Sequence, residues 1–123
     1  MENPKIIFKK LVYKYFKFIT EFKEIKFDTN NKAAAVKSLQ NVESGLNQVS
    51  NELERKQKMF KFCGLAKAAA VFEDIIQLTG IIVNISKKSA NEDMLLDKQA
   101  LSKMKQLSLS IQELETELTK LIK

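Results

Sequence analysis

The residues able to do chemistry are few, and their spacing is mostly that of helix surface. Glu113, Glu115 and Glu117 recur at every second position, as do Glu52 and Glu54. Acid–base catalysis needs two carboxylates in one cleft with separated protonation states. Glu113 and Glu117 instead stand one helical turn apart, flanking an apolar stripe, and read as a solvated rim. Glu73 and Asp74 fall inside the most apolar stretch, where burial could shift a carboxylate furthest. A structural ion pair or an exposed strip is the expected role for them. Cys63 follows Arg55, Lys56, Lys58 and Lys61, four cations that could make a thiol reactive. Its seven-residue spacing from Lys56 places it on an apolar seam, so it is expected to be a small buried hydrophobe. Met59, Met94 and Met104 could line an adaptable groove, but Met104 belongs to a seam and reads as core filler.

The chain has no histidine. That removes the commonest general base and metal ligand, and with it the Ser-His and Cys-His nucleophile arrangements. It also removes the Glu-x-x-His motif of metal-binding bundles. A lone cysteine forms no intramolecular disulfide and lacks the partners of a thiolate metal site. The three glycines, Gly45, Gly64 and Gly80, are too dispersed for a phosphate-binding loop. No catalytic residue, cofactor or metal is therefore expected, and a protein of this make-up would act by binding.

The elements that would carry such a surface are helices. In 123 residues there are three glycines and one proline, so turns must be few. An apolar fraction of 45% and a charged fraction of 29% describe a folded chain of one domain, residues 1–123. Asn3-Pro4 is a helix start. Phe8, Leu11, Val12, Tyr15, Phe18, Ile19, Phe22 and Ile25 then mark one face of a helix over about 4–26. Asp28 to Asn31 is a turn of capping residues. A second helix over 31–62 carries the seam Leu39, Val42, Leu46, Val49, Leu53, Lys56, Phe60 and Cys63, with Gly64 as its cap.

The third helix, 65–88, is apolar nearly all round. Lys67, Glu73, Asp74 and Asn84 interrupt it, which favours a buried core helix over a membrane span. Gly80 before Ile81-Ile82-Val83 leaves a short extended piece as the alternative there. Ser89 to Glu92 has the spacing of a capping box. The last helix, 91–122, carries the seam Ala100, Met104, Leu107, Ile111, Leu114, Leu118 and Leu121. Short linkers make consecutive helices antiparallel. The expected fold is all-α: an antiparallel up-down-up-down four-helix bundle whose second and fourth helices are the long ones, with coiled-coil-like seams. The far end of the last seam, Leu114 to Ile122, could pair two copies as a homodimer.

The formal net charge is +6, and Arg55 is the sole arginine among 21 basic residues. Residues 1–67 hold 14 basic and 7 acidic side chains, a balance of +7, and the remainder balance to −1. Five lysines and no acid occur from Lys5 to Lys17. At about 100° per residue, Ile6, Lys9, Lys10, Tyr13 and Lys17 fall opposite the apolar face. They form the candidate partner-binding surface. It could dock on an acidic protein surface, lie on an anionic membrane, or follow a nucleic-acid backbone. It could also be a solvated face in a lysine-rich proteome. Exposed Ile and Tyr favour protein, then lipid; the scarcity of arginine disfavours nucleic acid. The lysine-rich start lacks an uninterrupted apolar run with a cleavage site, so no secretory leader is expected. With the lone thiol, this points to the cytoplasm. Small basic bundles serve as immunity proteins, inhibitors, chaperones and adaptors, an analogy of fold alone.

Overall fold

The computed structural model describes residues 3–25, 29–92 and 97–123. All the regular structure among them is helical, with no strand. Asn3 opens α1 (Pro4–Lys23): its side chain accepts from the Lys5 amide at 2.9 Å, and Pro4 takes the first turn, where its missing N–H costs nothing. The helix ends at Lys23, slightly short of the expected boundary. Lys26, Phe27 and Asp28 lie outside the described residues, and a 3-10 turn, Thr29–Asn31, leads into the next helix.

The expected second helix is two helices, α2 (Lys32–Arg55) and α3 (Gln57–Phe62). The break is at Lys56, with φ −100° and ψ 7°. Lys56 holds the one charged position of the seam. A lysine ammonium cannot be carried into an apolar core, and interrupting the helix leaves it half-buried while Leu53 and Phe60 on either side are buried. The seam fails one step later, since Cys63 is exposed. It sits where α3 stops and the chain turns away. Gly64, at φ 77°, takes the left-handed conformation. The Leu65 amide donates back to the Phe60 carbonyl at 2.8 Å and the Gly64 amide to Lys61 at 3.3 Å. This Schellman pair is the glycine cap expected from sequence.

The next helix, α4 (Ala66–Glu92), is the longest at 27 residues, about 40 Å. It runs unbroken through Gly80 and through the capping-box pattern Ser89–Glu92, which starts no helix. Ala90 is fully buried there and extends the apolar face, so packing overrides the cap signal. The last helix, α5 (Lys98–Leu121), begins later than expected. Asp97 caps it, accepting from the Ala100 amide at 2.7 Å. Met94 lies outside the described residues. The long helices are thus α4, then α2 and α5 at 24 residues each, a correction to the expected pair.

Packing joins α4 to α5, α2 and α3, and α1 to α2 and α3, while α1 and α5 approach less closely. The core is aromatic at one end. Phe8 of α1 meets Phe60 of α3 edge-on at 5.1 Å and Phe72 of α4 at 5.7 Å. Aliphatic layers from Leu39, Val42, Leu46, Val49 and Ile75 continue it. Lys87 Nζ donates to Glu43 at 3.3 Å, tying α4 to the first half of α2. The stretch Ala66–Asn91 is long and apolar enough to cross a membrane, with a mean hydropathy of 1.5; half of that window is buried inside the protein.

Candidate partner-binding surface

The surface starts from the wheel of α1. Phe8, Leu11, Val12, Tyr15 and Ile19 are buried, and Phe18 and Phe22 are half-buried. The opposite side carries Ile6, Lys9, Lys10, Tyr13 and Lys17, as their spacing requires. Tyr13 is 74% exposed and Ile6 49%. Lys10 and Lys17 are exposed and Lys9 is half-buried. An aromatic ring and a branched alkyl group thus stand in solvent among ammonium groups. The four-carbon lysine stems can cover apolar surface while their heads stay wet.

Beside that face, α1 and α2 leave a groove. One part, about 630 Å³, runs between Lys14, Lys17 and Phe18 on α1 and Gln48 to Arg55 on α2. A second part, about 380 Å³, lies between Ile7, Lys10 and Leu11 on one side and Lys56 on the other. Lys14 and Glu52 line both. Glu52 stands 3.7 Å from Lys14 Nζ and 3.7 Å from an Arg55 guanidinium nitrogen. The helices come this close because Gly45 has no side chain: the Phe18 ring occupies the place of a β-carbon there. Glycine is read here as space, a role its dispersed position in the sequence does not announce.

Most of the carboxylates stand at the surface. Glu73 and Asp74 are exposed despite their apolar helix, which turns its polar edge outward at that point. Glu73 shares a small cleft of about 200 Å³ with Glu54, Ser50 and Gln57, and Glu54 is exposed too. Glu113 and Glu117 are exposed rim residues. Spacing gives Glu115 no role apart from its neighbours, yet it is half-buried opposite Phe16 in the crevice between α5 and α1. Burial pushes its carboxyl above the usual range, and the Lys23 charge pulls it partly back. Tyr15 Oη and Thr79 Oγ1 share a hydrogen bond of 3.0 Å in the core. Burial holds that phenol well above its ordinary range, with the Thr79 bond opposing and the Glu115 charge adding to the shift. Among the described residues no three acidic or thiol groups gather as metal ligands would.

Sequence reasoning also missed Phe62, which is 96% exposed beside Cys63. A signal existed: Phe60 and Phe62, two positions apart, cannot face the same way on a helix. Phe60 takes the core. On α5, the apolar end Leu114 to Ile122 is not spare surface. Leu118 is buried, and Leu114, Leu121 and Ile122 pack against the core. The exposed leucines of that helix are Leu101 and Leu109.

No protein-family model, curated protein or solved structure matches the chain.

Proposed function

We propose that this protein is a non-enzymatic four-helix bundle that works by protein–protein interaction, docking through the lysine–aromatic face of α1 on a partner with an acidic surface. One observation carries the reading: Tyr13 is 74% exposed in the middle of that face. A large ring left in water among cations has the composition of an interface anchor with a steering rim. An antiparallel run of α1, α2–α3 and α4 is supported by residue pairs that run oppositely along neighbouring helices: Phe8 with Phe60 and Lys14 with Glu52 between α1 and α2–α3, and Glu43 with Lys87 and Glu54 beside Glu73 between α2 and α4. The buried set Leu39, Val42, Leu46, Val49 and Leu53 supports a coiled-coil-like seam on α2. An adaptor, inhibitor or immunity-type role in the cytoplasm fits such a module. Self-association through α5 would use Leu101 and Leu109.

The test is binding to a partner captured from native host extract, measured for the wild type and for Tyr13→Ala. The alanine variant should weaken binding by more than about 1 kcal/mol while leaving thermal stability unchanged. Replacing Lys10 and Lys17 with Gln should slow association and flatten its salt dependence. Tight, salt-sensitive binding to anionic vesicles or duplex DNA, with no protein partner recovered, would transfer the same face to lipid or nucleic acid.

A further inference from the structure

The groove between α1 and α2 has the chemistry of a receptor, and it lies beside the proposed face. Its two parts lie on either side of the Lys14–Glu52 ion pair, which crosses from α1 to α2. Five cations line the groove: Lys10, Lys14, Lys17, Arg55 and Lys56. One carboxylate, Glu52, stands among them, so lining cations outnumber lining acids in both parts. Glu52 is already shared between Lys14 and Arg55. The floor is apolar: Leu11 and Val49 are buried beneath it, and Phe18 and Ile7 are half-buried in its wall.

We infer that the larger part of this groove receives a short acidic amphipathic segment of the protein partner, with apolar side chains seated on Phe18 and Val49 and carboxylates meeting the Lys14, Lys17 and Arg55 rim. The inference rests on the protein-binding reading above and names what that partner must carry. The charge imbalance demands an acidic ligand, and the apolar floor demands that its acids alternate with large apolar side chains. A nucleic-acid backbone has nothing apolar to place on the floor, and one arginine supplies little of the bidentate phosphate recognition such ligands use. A lipid surface meets convex faces, whereas this is a concavity between two helices.

The probe is a phage-displayed library of random peptides panned on the full chain and counter-selected on the double variant Lys14→Glu/Lys17→Glu. Enriched peptides should be acidic, with apolar residues three or four apart. The consensus peptide should lose about tenfold or more in affinity on the double variant. The milder pair Lys17→Gln/Arg55→Gln, with helicity checked by circular dichroism, should lose affinity in the same direction. Amide chemical shifts on peptide addition should move at Val49, Glu52 and Arg55. Peptides without acids, or equal binding to both charge variants, would overturn the inference. Shifts confined to Ile6, Lys9 and Tyr13 would overturn the groove while leaving the α1 face in place. Equal or tighter binding of duplex DNA in the groove, displacing the peptide, would overturn it in favour of nucleic acid. Loss of partner binding in Tyr13→Ala and in the groove variants alike supports both readings.

Discussion

Tyr15 and Thr79 share a hydrogen bond of 3.0 Å in the middle of the core, the phenol reaching from α1 to the hydroxyl on α4. The two ends of this bond have unequal alternatives. A helical threonine hydroxyl can turn to the carbonyl one turn back, whereas a buried phenol has nowhere else to go. Thr79→Val should therefore cost more, about 1–3 kcal/mol, than Tyr15→Phe at about 1 kcal/mol. The double variant should recover much of the Thr79→Val loss. Urea unfolding of the three variants measures this, and a double variant as unstable as the sum of the singles would refute it.

The crevice between α1 and α5 holds a carboxyl that works against the fold at neutral pH. The folded-state pKa of Glu115 is raised, mainly by burial, with Lys23 opposing. A raised carboxyl favours the folded state when protonated, so its contribution is present in acid and lost as pH rises through the folded value. Glu115→Gln should raise the melting temperature at neutral pH, and the gain should shrink towards zero below the ordinary glutamate range. Calorimetry across the acid range tests this. A variant less stable than wild type at neutral pH would mean that the Lys23 attraction outweighs burial.

Phe18 and Gly45 define how near α1 and α2 can lie. An alanine at Gly45 gains about 1 kcal/mol of helix propensity. It also meets the Phe18 ring head-on, and such overpacking costs about 1–3 kcal/mol. Gly45→Ala is expected to be destabilising on balance. Adding Phe18→Leu should restore stability beyond that of Phe18→Leu alone, because the alanine then has room. Thermal melts decide it; a stabilised Gly45→Ala single variant would show that the ring swings out freely.

The faces of the helices were legible because burial follows a period of three to four residues. Phe8, Leu11, Tyr15, Leu39, Val49 and Ile75 all lie inside, and Tyr13 lies outside, as the wheel requires. The glycine cap at Gly64 was legible for the same local reason. Boundaries set by competition were not. The break at Lys56 follows from an ammonium group on a buried seam, and the passage of α4 through Ser89–Glu92 from the burial of Ala90. The groove was out of reach because half its lining belongs to α2, and no spacing on one helix reveals what a second helix sets beside it. Of its lining residues, spacing assigns only Lys10 and Lys17 to a binding face.

Cys63 was expected on the seam and is exposed. A thiol reagent should modify it stoichiometrically in the native protein as fast as in urea. Cys63→Ala should leave stability within about 0.5 kcal/mol of wild type, as at other exposed positions. Slow native labelling together with a clear loss of stability in the alanine variant would put the residue back in the core.

The aromatic end of the core offers the strongest test of the packing. Phe72 of α4 contacts Phe8 at 5.7 Å and Tyr15 at 5.8 Å, both near edge-on, and Phe8 in turn meets Phe60. All four rings are buried, and through them α1, α3 and α4 are held at one point. Phe72→Ala removes the central ring and leaves a cavity that rigid neighbours cannot fill, so it should cost about 3–5 kcal/mol. Phe72→Leu, which keeps most of the volume, should cost much less. A double-mutant cycle with Phe8→Leu should return a coupling of about 0.5–1.5 kcal/mol, the part due to edge-to-face geometry beyond buried area. Phe72 lies on the stretch that is apolar enough for a membrane span, so the same variants also test where that helix resides. If Phe72→Ala melts the detergent-free protein as a unit, α4 is its core helix. A variant as stable as wild type would mean that the ring faces something other than Phe8 and Tyr15.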